Sequence, residues 1–371
     1  MRIGIDARLV YYSQAGIGQY ILNLVKWLGE IDSANEYVLL QSRKDHTTII
    51  KQANFRRASL WTPSHHRFEQ HALPAEIVRQ GLDLLHSPDF IPPFRASCRT
   101  IITVHDLAFL LYPQFLTQES ARYYGQIDQA VRRADHIIAD SKNTRQDILS
   151  LLGAPADKVS VVYLAANPVY RPIPLDQARQ RAADKFGLEG DFILFVSTIE
   201  PRKNLATLLR AYRQLLDAYK LDVELALVGG QGWLYEEIPS LVKDLRLTDK
   251  AHFLGRVPDK DLLHLYNAAG VLVHPAIYEG FGLPPLEAMA CGTPVIVSNT
   301  SSLPEVIGDA GLLIEPENVD AWAVALWRVF TDDTLRDELA QKALARSGYF
   351  SWERTARQTL DIYRQVVDGS L

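Results

Sequence analysis

The sequence predicts an α/β protein built on two doubly wound parallel sheets. Short apolar runs alternate with longer helical patterns along the chain, which is typical of βα units around a parallel sheet. The 371 residues correspond to about two domains at roughly 150 residues each. The apolar runs divide evenly between the two halves of the chain. This division favours two sheets, although the number of runs alone leaves a single barrel open.

Each half contains six candidate strands. In the first half they are Arg2–Ile5, Tyr37–Leu40, Asp83–His86, Thr100–Val104, His136–Ala139 and Val159–Val162. In the second half they are Phe192–Val196, Leu225–Val228, Ala251–Phe253, Val271–His274, Val295–Val297 and Leu312–Ile314.

A proline-rich segment marks the predicted domain boundary. Asn167–Pro174 holds three prolines in eight residues, too many for a helix or a central strand, and predicts a stiff linker. We therefore expect an N-terminal domain over 1–168 and a C-terminal domain over 169–350. Beyond Ile314 the pattern is helical, and the last predicted helix, Trp352–Val367, is amphipathic with a period near 3.6.

Composition excludes several classes of protein. With 39 Lys and Arg against 44 Asp and Glu, the net charge of −5 gives no overall attraction to nucleic acid. The two cysteines are too few for a disulfide framework, which favours a reducing compartment. No apolar run approaches the roughly 18–20 residues of a membrane span, and the start does not resemble a signal peptide. We expect a cytosolic protein.

Glycines follow the first candidate strand. Gly16 and Gly18 precede a helical pattern, so the backbone there can approach a phosphate at a helix N-terminus, or form a plain turn. The loop lacks the Gly-x-Gly-x-x-Gly pattern of dinucleotide-binding proteins, and no P-loop Gly-Lys-Ser/Thr occurs in the chain. Dehydrogenase and NTPase functions are therefore disfavoured.

Charged residues lie in the loops that follow two other strands. His105 and Asp106 come after Thr100–Val104, and they form either a general base with its orienting partner or a polar strand end. Arg202 and Lys203 follow Phe192–Val196, where a planar fork and a point charge suit a diphosphate. The alternative for that pair is a solvated basic turn.

The segment from Tyr278 to Glu287 is the most informative. Gly280 and Gly282 open the backbone between a strand and a helix that begins with two prolines. Glu279 and Glu287 would repel phosphate, so they are expected to face sugar hydroxyl groups. Stabilisation of the helix dipole explains Glu287 equally well but does not explain Glu279.

Together these motifs resemble the retaining family 4 glycosyltransferases. That family has the GT-B fold of two facing Rossmann-like domains, with a C-terminal helix (here within 351–371) that crosses back to the first domain. The resemblance covers nearly the whole chain and is most specific over 193–318. The matching residues are Gly16-Ile-Gly18, His105-Asp106, Glu200-Pro-Arg-Lys-Asn204, Val228-Gly-Gly230, Phe253-Leu-Gly-Arg-Val257, Glu279-x7-Glu287, Ala288-Met-Ala-Cys-Gly-Thr-Pro-Val295 and Leu303-Pro-Glu-Val306.

The resemblance implies transfer of a sugar from a nucleotide diphosphate sugar with retention at the anomeric carbon. Arg202 and Lys203 would hold the diphosphate, while Glu279 and His105 would contact the donor sugar. The remaining binding residues would be Gly16 and Gly18 at the phosphate, Phe281, Gly282 and Leu283 through backbone N–H groups, Glu287 at the ribose, and Arg256 and Val257 near the base. No metal or other cofactor is expected, because the Asp259-Lys-Asp261 sequence starts a helical pattern.

Donor and acceptor are less constrained. The motifs look most like the mannosyltransferase branch that uses GDP-mannose, with a UDP-sugar as the alternative donor and a non-hydrolysing nucleotide-sugar epimerase as an alternative activity. The resemblance implies a role in polysaccharide biosynthesis, with a glycan, a lipid-linked molecule or a small molecule as the acceptor. Residues 42–71 are rich in basic and aromatic side chains. They form either a contact with the inner face of a membrane or a solvated surface.

Overall fold

A computed structural model describes residues 1–12, 16–66, 68–115, 118–232 and 237–371. The chain divides into two compact units. Unit 1 consists of Met1–Leu164 together with Ser351–Leu371, and unit 2 of Ala165–Phe350. Among the described residues, no helix combines the length and apolar composition needed to cross a lipid bilayer.

The described part of unit 1 contains a seven-stranded parallel sheet in the order β3-β2-β1-β4-β5-β6-β7. The chain first adds strands outward on one side of β1 and then continues from β4 on the other side. The strand order therefore reverses between β1 and β4, where open α/β sheets bind ligands. The strands are β1 (Arg2–Asp6), β2 (Glu36–Ser42), β3 (Phe55–Leu60), β4 (Leu84–Ser87), β5 (Arg99–Val104), β6 (His136–Ala139) and β7 (Val159–Val161).

The described part of unit 2 contains a six-stranded parallel sheet in the order β10-β9-β8-β11-β12-β13. Its order reverses between β8 and β11, which pair directly through Val271 with Ile193 and Leu272 with Leu194. The strands are β8 (Phe192–Val196), β9 (Glu224–Val228), β10 (Ala251–Gly255), β11 (Val271–His274), β12 (Val295–Ser298) and β13 (Leu312–Ile314).

Helices connect the strands of both sheets. In unit 1 they are α1 (Ile17–Ile31), α2 (Glu69–Val78), α3 (Ala108–Leu111), α4 (Gln118–Tyr124), α5 (Ile127–Arg133) and α6 (Lys142–Leu152). In unit 2 they are α7 (Leu175–Phe186), α8 (Leu205–Ala218), α9 (Glu237–Asp244), α10 (Asp259–Ala268), α11 (Leu283–Ala290), α12 (Leu303–Ile307), α13 (Val319–Thr331) and α14 (Asp333–Ser347).

The C-terminal helix α15 (Trp352–Asp368) belongs to unit 1. Ser351 caps it by accepting from the N–H of Arg354. The hydroxyl of Thr355 donates to the carbonyl of Tyr163 at 2.7 Å, and the Tyr363 hydroxyl lies 2.6 Å from Nδ1 of buried His86 on β4. The prediction that the last helix joins the first domain is confirmed.

The strand prediction missed one element. β3 pairs with β2 at the edge of the sheet, and Arg56 and Arg57 on this strand are exposed. Edge strands carry charged side chains because one side faces water, so the apolar pattern used to find strands is weak there. The first sheet therefore has seven strands among the described residues, where the sequence pattern gave six.

The predicted linker is packed against a helix. The phenol ring of Tyr170 meets that of Tyr266 on α10 edge to face, and its hydroxyl donates to Asp259 at 3.2 Å. The N–H of Ile173 donates to the side chain of Asn267 at 2.9 Å. The segment 167–174 therefore packs on unit 2, which begins at Ala165, and its role as a linker between the two domains stays a prediction. Prolines exclude regular structure there but leave side chains and amides available for packing on unit 2.

Candidate functional site

A cluster of charged side chains in unit 2 lies where the strand order of its sheet reverses. Arg202 and Lys203 belong to a short 3-10 helix, Pro201–Lys203, that follows β8, and Glu279 follows β11. The N–H of Ile277 donates to the carbonyl of Arg202 at 2.8 Å and ties the two loops together. The structure thus brings together three residues that the sequence assigned to one site.

Lys203 and Glu279 form a buried ion pair. Their exposed fractions are 7% and 8%, and Nζ of Lys203 lies 2.5 Å from Oε1 of Glu279. The N–H of Glu279 donates to Ser301 and its carbonyl accepts from Ser302, each at 2.9 Å. Backbone and side chain of Glu279 are therefore both fixed.

His274, the last residue of β11, is a third member that the sequence analysis missed. It is fully buried, and its Nε2 lies 2.6 Å from Oε1 of Glu279. The other ring nitrogen, Nδ1, has no hydrogen-bond partner among the described residues. A His at the end of a buried strand was a signal available in the sequence, because it stands at the same sheet edge as the loop that follows.

Arg202 lies between two carboxylates. Its Nε is 2.5 Å from Oε1 of Glu200, and one terminal nitrogen is 3.6 Å from Oε2 of Glu279. About a fifth of its side chain is exposed, whereas Lys203 is almost enclosed. Of the two cations, Arg202 is the one that reaches solvent.

Attraction between the opposite charges of this cluster offsets part of the cost of burying them. Burial raises the pKa of Glu279, but Lys203, His274 and Arg202 outweigh it and hold that pKa well below its ordinary value. Burial lowers the pKa of Lys203, and Glu279 opposes this in part. Burial also lowers the pKa of His274. Glu279 is therefore ionised and engaged by positive or N–H groups.

The backbone between Glu279 and α11 has the geometry expected of an anion site. Gly282 precedes the helix with φ +100°, and a Cβ there would lie 2.7 Å from Leu303. Pro284 and Pro285 have no N–H, so the N-terminal amides of α11 come from Gly282 and Leu283. Phe281 is buried beside Phe350, with ring centroids 5.7 Å apart.

Glu287 occupies a different environment from Glu279. Its Oε2 accepts from the hydroxyl of Tyr266 on α10 at 2.8 Å. Burial raises its pKa to about 8, and Tyr266 opposes this shift in part. A carboxyl group with one hydrogen-bond donor and a raised pKa differs from the paired, ionised carboxylate of Glu279. The two glutamates, eight positions apart, therefore lie in different electrostatic environments.

Arg256 and Val257 follow β10. Arg256 is exposed and lies over Gly230, where a Cβ would meet its Nε at 3.0 Å, and Val257 is half-buried. The neighbouring Gly229 has φ +146°, and a Cβ there would lie only 1.7 Å from the carbonyl oxygen of Ser197. Glycine is thus required for the close approach of the loops after β8 and β9.

In unit 1, Gly16 caps the start of α1 with φ +46°, and nothing lies within 4 Å of a Cβ built there. Gly18 is buried in the first turn. Residues 13–15 lie outside the described residues. The glycines stand at a helix N-terminus, as predicted, and their role at a phosphate stays a prediction.

His105 does not pair with Asp106. Its Nδ1 lies 2.5 Å from Oδ2 of Asp140, and its Nε2 lies 2.8 Å from the carbonyl oxygen of Pro88. Asp106 instead accepts from the N–H of Ala108 at 2.9 Å. The interpretation of the adjacent aspartate as the orienting partner is wrong, because that side chain closes the turn before α3.

A second charged cluster in unit 1 was not predicted. Arg8 is 1% exposed and lies between Asp6, at 2.6 Å, and Glu69. Beside it, Asp89 pairs with His65 and accepts from the hydroxyl of Tyr123. Asp6 ends β1 and Asp89 follows β4, so this cluster lies where the strand order of unit 1 reverses.

The described residues contain no group of three or more His, Cys, Asp or Glu side chains arranged to hold a metal ion. The carboxylate of Asp261 is engaged by Arg181 and Lys185, at 2.7 and 2.5 Å. Asp259 accepts from Tyr170. Metal independence stays a prediction.

Comparisons with known proteins agree with this architecture. Residues 15–169 match Glycosyltransferase Family 4, and residues 176–346 match Glycosyl transferases group 1. The chain is 33% identical to O-antigen chain mannosyltransferase B of Escherichia coli, with 98% of this chain and all of that protein covered. It is also 33% identical to the serotype-specific mannosyltransferase WbdA of Escherichia coli, covering 76% of this chain but only 35% of that longer protein.

Solved structures show the same fold. Sucrose-phosphate synthase from Thermosynechococcus elongatus superposes with a TM-score of 0.80 at 23% identity, and both chains are fully covered. HepE from Anabaena, solved in complex with UDP-glucose, has a TM-score of 0.77 at 20% identity, covering 98% of this chain and all of that one.

Two Rossmann-like units, each built on a parallel sheet, place the chain in the GT-B fold class. The chain belongs to the glycosyltransferases, with a family 4 region followed by a group 1 region.

Proposed function

We propose that this glycosyltransferase is a retaining mannosyltransferase that uses GDP-mannose and extends a mannose-containing surface glycan. The observation that carries the assignment to mannose is the full-length similarity to O-antigen chain mannosyltransferase B. A UDP-sugar is the alternative donor, because HepE was solved with UDP-glucose.

In this proposal Arg202 and Lys203 hold the donor diphosphate and stabilise its departure. Supporting it, the two cations stand at the reversal of strand order, where such sheets bind ligands, and Arg202 reaches solvent. Gly282 and Leu283 add backbone N–H groups, Glu287 binds the ribose, and Arg256 and Val257 lie near the base. His105 acts on the donor sugar from unit 1.

In this proposal the sugar keeps its anomeric configuration although no side chain of the enzyme attacks the anomeric carbon. Glu279 is engaged by Lys203 and His274 and has a strongly lowered pKa, which makes its carboxylate a weak nucleophile. We assign Glu279 to the sugar hydroxyls. The acceptor then attacks from the face that the diphosphate leaves, and the departing phosphate oxygen takes the proton of the acceptor hydroxyl.

A donor screen tests the assignment. Purified protein is incubated with GDP-mannose, GDP-glucose, UDP-glucose and UDP-galactose, each with a mannose-terminated oligosaccharide, and the product anomer is determined by NMR. We expect an α-linked mannose product from GDP-mannose in the presence of EDTA. Transfer only from UDP-sugars would refute the donor, and a β-linked product would refute retention. Conversion of the free donor to its epimer without transfer would favour the epimerase alternative.

We further propose that unit 1 binds an anionic membrane surface through the segment 42–71. Supporting this, Trp61 and Phe68 of this segment are 70% and 54% exposed, and Arg43 stacks on Trp61 at 3.7 Å. Arg67 lies outside the described residues.

Co-sedimentation with vesicles of anionic and of neutral lipid tests the proposed membrane contact. Binding to anionic vesicles should be lost in Trp61→Ala and kept in the control variant Trp327→Ala, which changes a half-exposed tryptophan in unit 2. Equal binding of all three proteins would exclude this contact.

A further inference from the structure

The His105 ring is unusual because both of its nitrogens face hydrogen-bond acceptors. Nδ1 lies 2.5 Å from a carboxylate oxygen of Asp140, and Nε2 lies 2.8 Å from the carbonyl oxygen of Pro88. A carbonyl oxygen only accepts, so Nε2 carries a proton. A hydrogen bond between Nδ1 and the carboxyl group needs a second proton, carried either by Nδ1 or by Asp140.

We propose that Asp140 is a positioning residue that keeps the His105 ring doubly hydrogen-bonded, so that His105 serves the transfer reaction as a fixed group and not as a base. This inference rests on the proposed function, in which His105 acts on the donor sugar. With Nδ1 donating to Asp140 and Nε2 donating to Pro88, neither nitrogen keeps a free lone pair. The acceptor proton therefore cannot go to this histidine, in agreement with its transfer to the departing phosphate oxygen in the proposed function.

The position of Asp140 supports this role. It directly follows β6, the strand that pairs with β5, and His105 directly follows β5. The side chain is 1% exposed, and its second oxygen, Oδ1, has no hydrogen-bond partner among the described residues. Burying a carboxylate with one oxygen unsatisfied is unfavourable, so the bond to His105 is the main compensation that the fold provides.

The other groups around the His105 ring either add negative charge, which favours the protonated ring, or carry no charge. Asp89 from the loop after β4 adds negative charge near the ring. Burial raises the pKa of Asp140, His105 opposes this rise in part, and Asp106 adds to it. The ring of Tyr20 on α1 contacts His105 edge to face at 5.1 Å. Burial lowers the pKa of His105, but Asp140 and Asp89 outweigh it, so that this pKa is raised. His86 on β4 is buried and its pKa is lowered to about 3, so it adds no charge.

The test combines NMR of the ring nitrogens with kinetics. Full-length protein labelled with ¹⁵N-histidine should show two protonated nitrogens for His105 at pH 7.5, assigned with His105→Gln. Asp140→Asn should remove one of these signals at the same pH. The control variant, Asp135→Asn, changes the aspartate that precedes β6 and accepts from the N–H of Thr100. It should leave both signals in place.

In transfer assays Asp140→Asn should lower kcat by about 10- to 100-fold, with the KM for the donor changing far less. Asp140→Glu should restore part of the loss, and the kcat of Asp135→Asn should stay near the wild-type value. In wild type, kcat should not fall as the pH drops through 6.5, because no unprotonated ring is needed.

A His105 ring with one protonated nitrogen in wild type, or a signal unchanged by Asp140→Asn, would overturn the inference. If the NMR result holds but His105→Ala keeps full kcat, the role of His105 in the proposed function fails while the pairing with Asp140 stands.

Discussion

The Lys203–Glu279 pair provides the sharpest test of how the unit 2 cluster is built. At 2.5 Å and an effective dielectric constant of about 20, Coulomb's law gives roughly 7 kcal/mol of attraction. Desolvation offsets much of this, but removing one partner leaves a buried charge uncompensated and costs about 3–5 kcal/mol. We expect Glu279→Gln to lower the free energy of unfolding by about 3–5 kcal/mol. Lys203→Met should lose less, because His274 and Arg202 still contact the carboxylate.

A double-mutant cycle measures the coupling. The Lys203→Met/Glu279→Gln chain should lose less stability than the two single variants together, by about 2 kcal/mol or more, since the residues share one interaction. Native-state hydrogen exchange reads the local free energy of opening in β11, and β5 of unit 1 serves as the internal reference. A matched control is the exposed pair Arg213–Asp217 on α8, whose coupling should stay below about 0.5 kcal/mol.

Additive losses at Lys203 and Glu279, with no more coupling than in the exposed control pair, would refute the view that the two charges stabilise each other. Loss of protection in β5 as well as β11 would show that the substitutions unfold the chain as a whole.

The remaining predictions concern turnover, pH and metal. Arg202→Ala should reduce kcat by about 10²–10³-fold with little change in thermal stability, whereas Arg210→Ala on the exposed face of α8 should do neither; similar kcat values for the two variants would exclude Arg202 from the diphosphate site. Because the pKa of Glu287 rises from 4.5 to about 8 on folding, stability should fall as the pH rises between these values. Glu287→Gln should flatten this fall in thermal melts and weaken nucleoside diphosphate binding in calorimetry, and an unchanged pH profile would contradict the assigned pKa. Transfer should survive excess EDTA, and a loss restored by Mg²⁺ or Mn²⁺ would reveal a metal site.

The strands were predictable where they are buried on both faces. Phe192–Val196 and Val271–His274 appear in the structure with the predicted limits, because a continuous apolar run bounded by polar residues has few alternatives in a parallel sheet. β3 was not predictable by the same rule, since its arginines face solvent at the sheet edge.

Site residues were predictable where a loop follows a strand, but their partners were not. The sequence placed Arg202, Lys203 and Glu279 at one sheet edge, because the carboxyl ends of parallel strands meet there. It paired His105 with its neighbour Asp106, although the structure pairs it with Asp140. Adjacent side chains in an extended segment point in different directions, so proximity in sequence is a poor guide to pairing.

The residues at the reversals of strand order in the two sheets differ in their balance of charge. In unit 2, the cations Arg202 and Lys203 match the two carboxylates of Glu200 and Glu279, and the N-terminal amides of α11 add hydrogen-bond donors for an anion. In unit 1, among the described residues, the corresponding cluster presents three carboxylates, Asp6, Glu69 and Asp89, against Arg8 and His65. Carboxylates repel phosphate and accept hydrogen bonds from hydroxyl groups. This difference in charge supports the proposal that the phosphate-bearing donor binds to unit 2.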